Sequence, residues 1–558
     1  MGGEVFTFIV GGKAGEGVKK AGEAASRMFS GMGRFIFQAD EYESLIKGGH
    51  NFSTVSTAMR EITGTYLKAD LVVCLDRRSY DIHKDHLSGN GLLVHNSDAM
   101  PAGEWKGAGL PLTSIAKKLP NPELKMGLGA VAVLAAAVGL GRPELEALVR
   151  AEYARDVENN VALAGQIWDA AFPHVGRKFE MERGEIRKPK MFGNQAMALG
   201  AYAAGMDMFF AYPMTPSSSM LHYLAAHAGE LGITVMHPES ELAVINMAIG
   251  ATYTGTRAMV GTAGGGFGLM VEALSLAGCA EAPVLIMSAC RVGPSTGAAT
   301  LHEQSDLRHV LGAGHGEFPR IVASPGDALE AFHLAAEMME LVWRFQTPGI
   351  ILGDKHLCES TMTVEVDPAK AGWSEPLMFT GPESEYRRYR QTTDGVSPLM
   401  FPPTKAVNKW TSHVRDELGI STEDADLITE THDKLRRKGE AIEEHLRTIR
   451  TVNTFGHGGP VILTYGSTTM AVREAVRHAG IDCRIVQPVY LEPFPYWAID
   501  CFRGGPPPII VEQSSTGMFA KLLSEKLGIE PRPDQIILKY DGRPFDPEEL
   551  ARRLKEAM

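Results

Sequence analysis

At 558 residues, the chain is too long for one ordinary hydrophobic core, so we expect several domains. Its 44% hydrophobic and 22% charged residues are ordinary for a globular protein. A net charge of −12 gives no electrostatic footprint for nucleic acid, so we expect no nucleic-acid partner.

The amino terminus lacks the basic and apolar regions of a signal peptide. The longest apolar run, Met126–Gly141, is short for a membrane span and contains four glycines, so it predicts a buried helix. We therefore expect a cytoplasmic protein with no membrane partner.

The six cysteines show no CxxC-type spacing. An iron–sulfur cluster needs four convergent thiolates, usually with some of them two residues apart. We therefore expect no cluster and no other metal on this chain, and interpret the thiols as reduced core residues. They are Cys74, Cys279, Cys290, Cys358, Cys483 and Cys501.

The first predicted domain covers residues 1–175. Val5–Val10 predicts a buried strand, and Gly11–Gly17 a turn into a helix from Val18. Further strands are predicted at Ala69–Leu75 and Gly91–His95, and residues 121–175 are predicted to be helical. Strands that alternate with helices indicate an α/β fold with a parallel sheet. The charged residues 176–190 are predicted to be a linker.

A second α/β domain is predicted over residues 191–360. Its predicted strands are Met208–Ala211, Thr234–Met236, Ala258–Gly261, Val284–Ser288 and Gly349–Leu352. Residues 361–455 are predicted to be a connector with an exposed helical excursion beyond Glu423, which could cover a neighbouring subunit. Residues 456–558 return to α/β alternation.

Glu241 precedes a strongly apolar helical segment, Leu242–Ala251. A buried glutamate is rare unless it is paired or functional. The alternative is a first-turn residue favoured by the helix dipole. Glu239 is a competing acid two residues earlier.

Thr215 and Arg291 each follow a predicted strand, at the sheet edge where α/β proteins usually bind ligands. A hydroxyl cluster at a helix start can receive a carboxylate, although Ser217 or Ser218 could simply cap that helix. A guanidinium can bind a carboxylate through two hydrogen bonds, although an isolated arginine is usually in a surface ion pair.

Gly261–Gly268 predicts a loop that lets backbone approach an aromatic ring closely. It matches neither the Walker nor the Rossmann pattern.

Four of these segments together resemble the pyrimidine-binding subunit of the thiamine-diphosphate-dependent 2-oxoacid:ferredoxin oxidoreductases. They are Tyr212–Ser219, Pro238–Glu241, Gly261–Gly268 and Arg291–Gly297, the last followed by Glu303–Leu307.

The resemblance selects Glu241 as the carboxyl group that activates thiamine diphosphate through its pyrimidine ring. It places Thr215 and Arg291 at the substrate carboxylate. It also places the glycine loop beneath the pyrimidine, through Gly264, Gly265, Gly266 and Phe267.

Gly11–Gly17 and Tyr42–Asn51 resemble the gamma-type domain of the same enzymes, fused ahead of the alpha domain. We expect this part to lie near coenzyme A, because its backbone N–H groups and one lysine suit phosphates. The alternative is a structural turn with a subunit-contact loop. The expected residues are Gly12, Lys13, Gly15, Ser44, Lys47, Gly48 and Asn51.

The last domain, with Tyr465–Thr468 and Val511–Gly517, resembles the transketolase carboxyl-terminal domain, which is generally architectural. The predicted fold class is therefore α/β, with several parallel-sheet layer domains that include a pyrimidine-binding fold and this one.

The resemblance implies an alpha subunit that oxidatively decarboxylates 2-oxoglutarate with coenzyme A, or runs the reverse, reductive carboxylation. We find no Gly-Asp-Gly…Asn diphosphate motif. A beta subunit is therefore expected to carry that motif, Mg²⁺ and a 4Fe–4S cluster in an (alpha–beta)2 complex that reduces ferredoxin. Pyruvate or branched 2-oxoacids, an NAD-linked relative and a non-catalytic architectural subunit stay open as alternatives.

Overall fold

The computed structural model describes residues 5–43, 49–100, 103, 105–499 and 506–558. The chain divides into two compact units. The first comprises Met1–Met191 with Ser360–Glu365 and Asp546–Glu548, and the second comprises the rest of the chain. The finer division into five segments stays a prediction.

The strands of the described residues are β1 (Val5–Lys13), β2 (Phe35–Glu41), β3 (His50–Ala58), β4 (Ala69–Cys74), β5 (Leu87–Asn96), β6 (Ala108–Leu110), β7 (Lys190–Phe192), β8 (Met208–Ala211), β9 (Thr234–Met236), β10 (Ala258–Ala263), β11 (Leu285–Cys290), β12 (Ile321–Ala323), β13 (Gly349–Asp354), β14 (Thr361–Thr363), β15 (Val452–Phe455), β16 (Val461–Leu463), β17 (Arg484–Pro488), β18 (Tyr490–Glu492), β19 (Ile509–Glu512) and β20 (Ile536–Leu538).

The α-helices of the described residues are α1 (Val18–Gly31), α2 (Arg77–His83), α3 (Leu112–Ala116), α4 (Met126–Ala137), α5 (Arg142–Glu152), α6 (Val157–Val175), α7 (Gly193–Ala203), α8 (Ser218–Leu231), α9 (Glu241–Tyr253), α10 (Gly264–Ala280), α11 (Leu307–Leu311), α12 (Ala328–Phe345), α13 (Lys355–Glu359), α14 (Ala425–Leu446), α15 (Thr468–Ala479), α16 (Tyr496–Ile499), α17 (Met518–Leu527) and α18 (Pro547–Ala557).

The first unit is built on an eight-stranded sheet in the order β6-β5-β4-β1-β3-β2-β14-β7. Only one half of it is parallel, through the pairs β1–β4, β4–β5 and β5–β6. The predicted parallel sheet is present in this half only, because β2 and β3 pair antiparallel with each other and β3 with β1. Neither strand was predicted, although β3 is rich in the β-branched residues that favour strands.

The core of the first unit includes α4, and every residue of that helix is buried. A helix that is apolar all round belongs inside a protein, so the predicted buried helix is confirmed. Among the described residues, no helix is both long enough and apolar enough to cross a membrane.

The second unit contains two sheets of mainly parallel strands. The first has the order β18-β12-β13-β11-β10-β8-β9, and all its neighbours are parallel except β12 and β18. The second has the order β15-β17-β16-β19-β20, with only β15 antiparallel. The predicted fold class, with several parallel-sheet layers, is confirmed.

The predicted helical excursion exists as α14, but it is not exposed along its length. Lys434, Lys438 and Ile442 of this helix are buried. The two ammonium groups bind the carboxylate of Glu281, with Nζ–oxygen distances of 2.6 and 2.5 Å. The excursion therefore packs onto its own unit, which charge alone could not reveal.

Candidate active site

Four segments of the second unit, each following a strand, converge at one sheet edge. Strands β9, β8, β10 and β11 are consecutive parallel neighbours, so their carboxyl ends lie side by side. Thr215 follows β8, Glu241 follows β9, Gly264 follows β10 and Arg291 follows β11. Such an edge is where open α/β sheets bind ligands.

Glu241 is the first residue of α9 and is only 4% exposed. Ser240 caps the helix, because its hydroxyl accepts a hydrogen bond from the N–H of Ala243 at 3.3 Å. The Oε1 atom of Glu241 is buried and has no hydrogen-bond partner. Glu239 is exposed, so the two competing acids differ sharply in environment.

The glycine-rich segment is not a loop, and that prediction was wrong. Residues 261–263 end β10, and α10 begins directly at Gly264. A Cβ atom at Gly266 would lie 2.7 Å from Oε1 of Glu241, and one at Gly264 would overlap the Asp306 carboxylate. Only glycine allows the first turn of α10 to sit between these two carboxyl groups. Gly265 is exposed and Phe267 is buried.

Arg291 and Thr215 meet directly. The Nη1 atom of Arg291 donates a hydrogen bond to the backbone carbonyl of Thr215 at 2.7 Å. Burial lowers the pKa of the Arg291 guanidinium, and the nearby Asp306 carboxylate opposes this effect. Among the described residues, no carboxylate lies close enough to form an ion pair with Arg291, so its remaining N–H groups are available for an anion.

Asp306 lies at the site, but the sequence analysis gave it no role. It named only the segment Glu303–Leu307 that contains this residue. Burial raises the pKa of this carboxyl group, and the charge of His309, the thiol of Cys290 and the charge of Arg291 oppose the rise. A sequence signal existed, since the acid directly precedes α11 and follows the loop that begins with Arg291.

The residues at this edge fit the pyrimidine half of thiamine diphosphate. The pyrimidine ring nitrogen needs a carboxyl partner in a dry pocket, and Oε1 of Glu241 is buried without a partner. Gly264–Gly266, the first turn of α10 and here called the glycine turn, has no side chains that would block an aromatic ring. We infer from this orphaned oxygen that Glu241, Gly264, Gly265, Gly266 and Phe267 would hold the ring.

In the first unit, Gly12 and Lys13 lie in β1 and pair with Asn51 and His50 of β3. Gly15 lies in the turn after β1. The backbone N–H of Lys13 is already used, because it donates to Oε2 of Glu16 at 2.7 Å. A phosphate group at this N–H would have to displace that carboxylate. Of the other residues expected near coenzyme A, Ser44, Lys47 and Gly48 lie outside the described residues.

Five of the cysteines lie within the described residues, and all five are free thiols. Cys501 lies outside that part of the chain. Within the described residues, no group of three or more histidine, cysteine, aspartate or glutamate side chains is arranged to hold a metal ion.

Two family models match the chain. Residues 199–434 match pyruvate flavodoxin/ferredoxin oxidoreductase, thiamine diphosphate-binding. Residues 7–169 match pyruvate ferredoxin/flavodoxin oxidoreductase.

Of two related proteins, one matches nearly the whole of this chain and the other matches part of it. The chain is 29% identical to the alpha subunit of 2-oxoacid:ferredoxin oxidoreductase 2 of Aeropyrum pernix, over 99% of this chain and 98% of that one. It is 29% identical to the 2-oxoglutarate synthase subunit KorA of Archaeoglobus fulgidus, over 59% of this chain and 88% of that one.

Among solved structures, the 2-oxoglutarate:ferredoxin oxidoreductase of Magnetococcus marinus matches all of both chains with a TM-score of 0.89 and 26% identity. That structure has 2-oxoglutarate, coenzyme A and succinyl-CoA bound. Together, these matches show that the chain is similar over nearly its whole length to the alpha subunits of 2-oxoacid:ferredoxin oxidoreductases.

Proposed function

We propose that this chain is the alpha subunit of an enzyme that converts 2-oxoglutarate, coenzyme A and oxidised ferredoxin to succinyl-CoA, CO2 and reduced ferredoxin, or runs the reverse reaction. The family supports a thiamine-diphosphate-dependent 2-oxoacid:ferredoxin oxidoreductase. The choice of 2-oxoglutarate draws support from the names of a relative and of a similar structure.

The observation that carries the proposal is the buried, unpartnered Oε1 of Glu241. When bound, thiamine diphosphate would supply the electron sink for decarboxylation. Glu241 would share a proton with the pyrimidine ring nitrogen through this oxygen, at the dry start of α9. The apolar helix behind it excludes water from that proton.

Arg291 and Thr215 would bind the substrate carboxylate. The hydrogen bond to the Thr215 carbonyl fixes one edge of the Arg291 guanidinium and leaves other N–H groups for a two-point contact. The Thr215 hydroxyl, three residues before the start of α8, would add a single hydrogen bond.

A second polypeptide would complete the site. The helix α9 is almost entirely apolar, yet Leu242 and Met247 on its outer face are 49% and 40% exposed. Leu269 of α10 is 50% exposed as well. An apolar face of this kind marks a protein interface. We infer that it faces a beta subunit that carries the diphosphate motif, Mg²⁺ and a 4Fe–4S cluster in an (alpha–beta)2 complex.

Coenzyme A would approach the first unit, near Gly12, Lys13, Gly15 and Asn51. These residues offer backbone groups and one exposed lysine side chain. The alternative is that this turn is only structural, which the contact between Lys13 and Glu16 favours.

The test is to co-purify the chain with its partner and to assay ferredoxin reduction with 2-oxoglutarate, pyruvate and a branched 2-oxoacid. We expect coenzyme A-dependent turnover that is fastest with 2-oxoglutarate. Faster turnover of another 2-oxoacid would overturn the substrate assignment. Reduction of NAD in place of ferredoxin, or no turnover of any 2-oxoacid, would overturn the function.

A further inference from the structure

Gln304, in the loop between β11 and α11, bonds to Asp354 of β13 and to residues that follow β16 and β19 of the five-stranded sheet. Gln304 is 2% exposed, and its Nε2 donates to Oδ2 of Asp354 at 3.0 Å and to the Tyr465 carbonyl at 3.4 Å. Its Oε1 accepts from the Thr468 hydroxyl at 2.7 Å and from the Gln513 N–H at 3.4 Å. The donor and acceptor capacities of this amide are therefore both in use.

A second residue of the same loop, His302, is held in the same way. Its Nδ1 accepts from the backbone N–H of His356 at 3.3 Å, so Nε2 carries the proton and donates to Oε1 of Gln513 at 2.8 Å. The backbone N–H of His302 donates to the Gly542 carbonyl at 2.9 Å.

The other end of this loop contacts the candidate active site. The Ser305 hydroxyl donates to the backbone carbonyl of Arg291 at 3.4 Å. Asp306 lies against Gly264, the first residue of α10, so closely that a Cβ atom there would overlap its carboxylate. A shift of Gln304 would therefore move the backbone of Arg291 and the support of the glycine turn together.

We propose that Gln304 is a positioning residue of the active site, through which the carboxyl-terminal sheet sets the orientation of Arg291 and of the first turn of α10. The segment that resembles an architectural domain then influences substrate binding through Arg291. This inference rests on the proposed function, because it takes Arg291 as the group that binds the 2-oxoacid carboxylate.

The first test replaces the amide by an apolar side chain of similar size, Gln304→Leu, in the complex with the partner subunit. We expect the KM for the 2-oxoacid to rise about tenfold, because small displacements of a binding group are costly, while the KM for coenzyme A stays within about twofold.

The matched control is Gln346→Leu. Gln346 is also a fully buried glutamine with both amide atoms bonded, to the guanidinium of Arg388 at 2.9 Å and to the Ser397 carbonyl at 2.5 Å. The hydrogen bonds of the Gln346 side chain do not involve the loop between β11 and α11. We expect a comparable fall in melting temperature and no change in either KM.

The second test reverses the hydrogen bond between Gln304 and Asp354. Gln304→Glu alone places two carboxylates against each other, whereas Gln304→Glu with Asp354→Asn restores a donor and an acceptor. We expect the single variant to raise the KM for the 2-oxoacid and the double variant to reverse most of that rise.

Three outcomes would overturn the positioning role. They are an unchanged 2-oxoacid KM in Gln304→Leu, an equal rise in both KM values, and a rise in the Gln346→Leu control as well. If the wild-type complex turned over no 2-oxoacid, the proposed function itself would fail, which is a distinguishable result.

Discussion

Two buried glutamates of the second unit lie in opposite electrostatic settings. Glu281 follows the end of α10 and is 1% exposed, while Glu241 begins α9 and is 4% exposed. Glu281 accepts hydrogen bonds from Lys434, Lys438 and Arg415. Glu241 has a buried oxygen with no partner at all.

The contrast fits a structural role for Glu281 and the functional role proposed for Glu241. Burial raises the pKa of Glu281, but the charges of Lys434, Lys438, Arg388 and Arg415 overcome this and hold that pKa well below its usual range. A folded protein keeps a buried charge only when it is paired, whereas a buried unsatisfied polar atom points to a water, an ion, a ligand or a catalytic role.

The largest expected effect is on stability, from Glu281→Gln. The substitution removes the carboxylate and leaves Lys434, Lys438 and Arg415 buried without a counter-charge. Loss of one partner of a buried ion pair costs about 3–5 kcal/mol of unfolding free energy. Urea unfolding monitored by circular dichroism measures it, and a loss below about 1 kcal/mol would show that the cluster is not a unit.

Glu241→Gln should have the converse effect. We expect turnover to fall about 100-fold, the scale of losing a positioned acid–base group. The unfolding free energy should stay the same within about 0.5 kcal/mol, because no partner is lost. Steady-state kinetics of the complex measure turnover, and urea unfolding of the same preparation measures the unfolding free energy. A loss of unfolding free energy similar to that of Glu281→Gln would contradict the different roles given to Glu241 and Glu281.

Arg291→Lys should raise the KM for the 2-oxoacid about tenfold, because an ammonium group cannot reproduce the two-point contact of a guanidinium. Thr215→Val should act in the same direction but only a few-fold, since about one hydrogen bond is lost. The KM for coenzyme A should not change in either variant. Equal changes in both KM values would indicate general destabilisation of the sheet edge.

The smallest expected effect is the pH dependence contributed by Lys438. Burial lowers its pKa to about 7, against the opposing charge of Glu281. Between this pKa and the higher value of an unfolded lysine, the unfolded state binds more protons, so the unfolding free energy rises with pH. From about pH 7 to about pH 8, wild type should gain about 1 kcal/mol relative to Lys438→Met. An unfolding free energy that rises as the pH is lowered from about 8 to about 7 would contradict the lowered pKa of Lys438.

The sequence predicted the strands around the site well, because each is a short apolar run bounded by glycine, proline or charge. Met208–Ala211 and Thr234–Met236 were predicted with the boundaries that the structure shows. The family resemblance grouped the four segments that follow these strands, and the structure brings them to one sheet edge.

The remaining features depend on contacts between residues far apart in the chain. The antiparallel strands β2 and β3 were missed, because pairing direction is set by the sheet and not by local pattern. The charged run of α14 suggested exposure, but Lys434 and Lys438 meet Glu281 more than 150 positions earlier. The hydrogen bonds of Gln304 span three segments, and no spacing in the sequence indicates them.

The role proposed for Glu241 is tested most directly by the rate of proton–deuterium exchange at the thiazolium carbon of thiamine diphosphate bound to the complex. NMR of acid-quenched samples measures this rate without any 2-oxoacid. We expect exchange slowed about 100-fold in Glu241→Gln and unchanged in the exposed control Glu239→Gln. Unchanged exchange in Glu241→Gln, or slowed exchange in Glu239→Gln, would contradict the central role given to the buried carboxyl group.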